Sequence, residues 1–186
     1  VQAGFSFLLF YGENMSFSNR KEWGERIYPQ VFSVMAQILG REATPMEDMS
    51  RGVDLVMAPA GISVRIRRPK YLAYRGEFTI RLNPNEDGKT ELDKLLRPPE
   101  SGLRCTHMFY GFSQDSEGRE LGHWSVLDMD LFAGTDVRGV EKYHSGGEKF
   151  IVFKIEDFTK DLIVAEGFAN GITYRRARVR PDGQRG

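Results

Sequence analysis

Three charged positions form the part of this sequence best suited to chemistry. Asp54 opens an apolar run in GVDLVM, and Arg65 and Arg67 stand two residues apart in SVRIRR, which follows it. An acid at the head of one strand, facing charged residues at i and i+2 of the next, is how a compact sheet assembles a phosphodiester site. In such a site carboxylates hold a divalent ion, and a cation stabilises the charge developing on the phosphoryl oxygens. Asp54 and Glu77 are the candidate ligands for Mg2+, and Arg65 or Arg67 is the candidate cation. The alternative is an ion pair of Asp54 with Arg65 or Arg67 in which nothing is cleaved. The arginines of that cluster would still offer forked donors to a phosphate backbone. Both readings require the Asp54 carboxylate and the two guanidinium groups to share one pocket open to solvent.

The elements that must position these residues are legible as changes of period. Trp23, Ile27, Val31, Val34, Met35 and Ile38 recur at spacings of three and four, which draws one apolar stripe on a helix. Ser18 or Asn19 can cap its start, Gly40 ends it, and Pro29 should kink it or split it in two. After REATPMEDMSRG the period falls to two, over residues 54–57, 62–68 and 77–82. Ile62, Val64 and Ile66 then face one way and Ser63, Arg65 and Arg67 the other. On the third strand Phe78, Ile80 and Leu82 face the core, with Glu77, Thr79 and Arg81 opposite, and Glu77 falls beside Arg65 across the ladder. Three strands at these separations form a meander most simply. Thr90, Leu92, Leu95 and Leu96 open a short helix, and strands follow at 105–112, 123–128, 149–155 and 162–168. Residues 128–148 read as loop with one helical turn, and SGGEK as a hairpin turn. The whole reads as a single α/β (α+β) domain over 1–186, with a mixed central sheet flanked by helices and extra C-terminal strands.

The order helix, three strands, helix, strand over roughly residues 18–115 resembles the αβββαβ core of the PD-(D/E)XK nuclease superfamily. Asp54 in GVDLVM matches that family's aspartate. Its acid-x-lysine pair is matched in spacing by Arg65-Ile66-Arg67, although two arginines cannot ligate a cation and would repel it. The resemblance implies a protein that acts on DNA or RNA, either as a Mg2+-dependent endonuclease or as a non-cleaving binder that kept the fold. The competing expectation is a phage or mobile-element accessory protein that binds another protein.

Composition bounds these expectations. With 186 residues and 40% apolar content, the chain can fill one core and is short for two. Its 26 Lys and Arg balance 26 Asp and Glu, so affinity for a polyanion must come from a local cluster. Arginine concentrates at Arg65, Arg67, Arg68 and Arg81 and again in the tail at Arg176, Arg178 and Arg180. The tail alternates with Ala177 and Val179, as a phosphate track or a charged edge strand would. Cys105 is the only cysteine, which excludes an intrachain disulfide and fits a reducing, cytoplasmic location. The apolar run 5–11 is too short to span a bilayer, so no membrane partner is expected, and Met15 could be a start with 1–14 as an extension.

The remaining reactive residues read as structural. His107, His123 and His144 lack a metal-binding spacing, and alternation puts His123 on the face opposite Asp128 and Asp130. A thiol beside Arg104 could be activated, but Cys105 heads a strand where burial is the simpler fate. Tyr71, Tyr74, Phe109, Tyr110 and Trp124 could stack on bases, and at these spacings they fill the core more simply.

Overall fold

The stripe expected over 23–38 is buried along its whole length. Helix α1 (Phe17–Leu39) sets its six apolar residues against a sheet, none more than 3% exposed. It begins ahead of Ser18 and Asn19 and runs as one helix through Pro29, so of the kink or split expected there the split does not occur. Pro29 lies on the exposed face, so its ring meets solvent rather than the packed seam. The computed structural model describes residues 17–42, 55–57, 61–84, 88, 90–96, 105–143 and 147–176. Among the described residues, no helix is long and apolar enough to cross a membrane.

The fold is mixed α+β. After α1 come β1 (Gly40–Glu42), β2 (Leu55–Met57), β3 (Gly61–Arg67), a 3-10 turn (Pro69–Tyr74), β4 (Glu77–Arg81) and α2 (Glu91–Leu95). The chain continues through β5 (Cys105–Ser113), β6 (Leu121–Asp128), α3 (Met129–Ala133), β7 (Val140–Tyr143), β8 (Lys149–Lys154), β9 (Ile163–Phe168) and β10 (Gly171–Arg175). A five-stranded sheet has the order β10-β9-β6-β5-β3, a three-stranded sheet β4-β8-β7, and β1 pairs with β2. Only the β3–β5 ladder of the five-stranded sheet is parallel.

The expected helix-strands-helix-strand order is present, but its three strands do not form a meander. β2 pairs with β1, β3 with β5, and β4 with β8. The cause lies between β3 and β4. Pro69 fixes the backbone at the first position of the 3-10 turn, and Tyr71 N donates to Arg68 O at 3.0 Å. This six-residue turn replaces a tight hairpin and carries β4 into the other sheet. β3 then finds its partner across a crossover containing α2, the long connection that parallel pairing demands.

Two cores result, and β5 serves both. Phe109 joins the stripe of α1 with Ile62, Val64, Ile66, Trp124 and Val126. Met108, Tyr110 and Phe112 point the other way, into a core with Phe78 and Ile80 of β4, Phe132 of α3 and Phe153 of β8. Both faces of β5, inside the five-stranded sheet, are therefore covered, as in a three-layer domain. The helical turn expected within 128–148 is α3, capped by the Asp128 carboxylate, which accepts from Asp130 N and Leu131 N. β7 escaped the sequence reading because all four of its residues are exposed and carry no alternation. β7 and β8 pair antiparallel, with Tyr143 opposite Lys149, while Ser145 and Gly146 of the expected SGGEK turn lie outside the described residues.

Candidate nucleic-acid interface

On β3, Ile62, Val64 and Ile66 pack under α1, leaving Ser63, Arg65 and Arg67 on the opposite face, as their alternation predicts. That face is not solvent. Tyr110 stands opposite Arg65 on β5, and the second core closes over it, so Arg65 is 1% exposed. Its charge is met by Glu91, the first residue of α2, whose Oε2 contacts Arg65 Nη2 and also accepts from Arg81 N at 3.0 Å. Burial pulls the Arg65 guanidinium down to about 9, with Arg81 and Arg67 nearby adding to the fall, so it is still a cation at neutral pH. Glu91 reaches this place because Thr90 caps α2 in a reciprocal capping box with Asp93, which aims the first helical side chain back at β3 and β4. A single carboxylate thereby joins three elements.

The shared, solvent-open pocket expected for Asp54, Arg65 and Arg67 is therefore not what holds Arg65: it is sealed and ion-paired, and it cannot reach a phosphate from there. Asp54 lies outside the described residues. Glu77 is not beside Arg65, because β4 left the meander; it stands opposite Lys154 on β8. Among the described residues no group of three or more His, Cys, Asp or Glu is placed to hold a metal ion. Of the two carboxylates expected to hold Mg2+, Glu77 lies among the described residues and Asp54 does not.

What β3 does present to solvent begins at its C-terminal end. Arg67 is half-buried, donates from Nη1 to Tyr110 Oη at 3.2 Å, and lies over the Tyr71 ring at 4.2 Å. Lys70 approaches the same ring at 5.1 Å. The segment RRPKYLAYR, residues 67–75, holds Arg67, Arg68, Lys70 and Arg75 and no carboxylate. Lys70, Tyr74 and Arg75 are exposed, Tyr74 at 49%. Lys70 and Arg75 have no carboxylate partner among the described residues. The 3-10 turn is what holds these groups outward, and Ile155 N donating to Gly76 O at 2.8 Å fastens its end to the chain after β8. Of the aromatic residues named as possible stackers, Phe109, Tyr110 and Trp124 are buried, which leaves Tyr74 and the partly covered Tyr71.

Two of the other expected phosphate ligands, Arg81 and Arg176, are engaged elsewhere. Arg81 Nη2 pairs with Glu148 at 2.9 Å. Arg176 Nη2 pairs with Asp128 at 2.7 Å and Nη1 donates to Asp161 O, so its guanidinium ties the end of β6 to the turn before β9. Arg178 and Arg180 lie outside the described residues. His123 and Asp128 fall on opposite faces of β6, as alternation predicts, while His107 is the histidine opposite Asp128 across the β5–β6 ladder. Burial pulls the His107 imidazole below its usual range, and it pushes the Cys105 thiol up to about 11.

Beside the turn lies a cleft of about 810 Å³ whose lining includes Tyr74, Glu77, His123, Ser125, Lys154 and Glu166. Ser125 and Glu166 are cross-strand partners on β6 and β9. Glu91, Lys70, Arg75 and Glu166 were not singled out from sequence. For Lys70 and Arg75 the signal was available in the acid-free run, whereas Glu91 and Glu166 acquire meaning only through pairings distant in the chain. No protein-family model matches this chain, and neither a curated protein nor a solved structure shows significant similarity to it.

Proposed function

We propose that this protein binds single-stranded nucleic acid through residues 67–75. Arg67, Arg68, Lys70 and Arg75 contact successive phosphates, and Tyr74 offers its ring to a base. The observation that carries the reading is the acid-free cationic segment held at the surface by a 3-10 turn, in a chain whose net charge is zero. Because no global field attracts a polyanion, the local cluster must supply both affinity and its salt dependence. Aromatic residues interleaved with cations favour unpaired bases, whose faces are free to stack. The reading keeps the substrate class that the resemblance implies and drops the Mg2+ chemistry, because Arg65 is sealed and Glu77 stands apart from it.

The test is fluorescence anisotropy with labelled single-stranded and duplex DNA and RNA at low salt, repeated for the Lys70→Glu/Arg75→Glu variant. Binding of single strands that the variant loses is expected, with strands left intact in Mg2+ and in EDTA. No binding to any strand contradicts the proposal, and Mg2+-dependent cutting abolished by Asp54→Ala replaces it with the endonuclease reading.

A further inference from the structure

The cleft and the cationic segment share residues: Tyr74 and Arg75 belong to both. Their chemistry is opposed. The cleft lining carries Glu77, Glu156 and Glu166 against Arg75 and Lys154, and Lys154 is itself paired with Glu156 at 3.6 Å. With Lys154 paired to Glu156, two carboxylates remain against Arg75, so the lining favours a ligand that brings donors over a phosphate. Glu77 and Glu166 have no ion-pair or hydrogen-bond partner for their side chains among the described residues. The cleft therefore offers free acceptors to a ligand that brings N–H donors.

Resting on the nucleic-acid reading above, we infer that this cleft takes one unstacked guanine from the bound strand, with Glu166 as the acceptor of its Watson–Crick edge. Guanine presents two adjacent donors, N1–H and the N2 amine, which match the two oxygens of a carboxylate. Adenine and cytosine set an acceptor nitrogen beside their amine, and uracil sets one N–H between two carbonyls, so each brings a lone pair against a carboxylate oxygen. Glu166 is preferred to Glu77 because it stands on β9, inside the five-stranded sheet between β6 and β10, where the ladders on both sides fix its position. Ser125, its cross-strand neighbour, can donate to the guanine O6. The volume of about 810 Å³ is ample for a nucleoside and lies within the usual range for ligand clefts.

The experiment uses the full chain and four oligothymidylates, each carrying one central guanine, hypoxanthine, adenine or cytosine. Hypoxanthine keeps N1–H and O6 and lacks only the amine. The guanine strand is expected to bind about tenfold more tightly than the hypoxanthine strand, the size of one charge-assisted hydrogen bond. Glu166→Gln, checked by its melting temperature, is expected to abolish that preference. Equal affinity for all four strands in the unsubstituted protein overturns the inference while strand binding stands. Failure to bind any strand removes the reading on which it rests, and the inference falls with it.

Discussion

Arg65 and Glu91 form an ion pair with side chains 1% and 5% exposed, where sequence alone places Arg65 on a solvent-facing strand surface. The pair links β3 to α2, and through Arg81 N to β4. Loss of either partner leaves a charge buried and uncompensated, which costs about 3–5 kcal/mol. Arg65→Ala and Glu91→Ala are each expected to lower the unfolding free energy in urea by that amount. Joint replacement by Met and Leu recovers most of it, because no unpaired charge is left. Single-variant losses below about 1 kcal/mol would show that the pair is not sealed.

The loop between β5 and β6 is built on Gly118 and Asp115. Gly118 has a φ of +69°, and a Cβ there would come within 2.5 Å of the Trp23 ring, whose Nε1 donates to Ser116 O at 2.8 Å. Gly118→Ala must strain the backbone and displace the indole from the α1 seam. A loss of about 2 kcal/mol is expected, measured as a fall in urea midpoint at constant slope. A melting temperature equal to that of the unsubstituted protein would contradict this packing.

Asp128 gives the fold an acid limit. Burial pushes its carboxyl up, but hydrogen bonds from Arg176 and Leu131 N and the Arg176 charge outweigh it and hold the carboxyl below the usual range. A carboxylate lowered in the folded state contributes stability that is complete above the unfolded value, about 3.9, and is lost as pH falls through the folded value. Arg176→Gln should therefore cost stability at neutral pH and make the decline between about pH 5 and pH 2 shallower. Parallel pH–stability curves for the two proteins would contradict the pairing.

Cys105 should be nearly inert. With its thiol pushed up to about 11, the thiolate fraction at pH 8 is small, and the native protein should react with an aromatic disulfide reagent far more slowly than the urea-unfolded chain. Equal rates would mean that the thiol is open to solvent.

Local patterning made much of this fold readable, and distant pairing limited the rest. The stripe from Trp23 to Ile38 and the alternation of β3 follow from helical and strand periods alone, and both occur as read. Pairing is a different kind of information. That β3 joins β5 rather than β4 depends on the turn at Pro69 and on a crossover through α2, which no period encodes. The functional expectation for Arg65 failed for the same reason. A charged residue alternating with apolar ones reads as solvent-facing until a second layer and a distant carboxylate cover it. Lys70 and Arg75 were visible in sequence as an acid-free run, but their exposure follows from the 3-10 turn.

The salt dependence of strand binding tests the central claim most directly. For a single strand, log affinity should fall linearly with log salt, with a slope of about −0.7 for each phosphate contacted. Substitution of Arg68, Lys70 or Arg75 singly by Gln should make that slope shallower by about one contact each, while Arg178→Gln, outside the segment, leaves it unchanged. An affinity that is independent of salt, or a slope that the segment variants do not alter, would contradict the account.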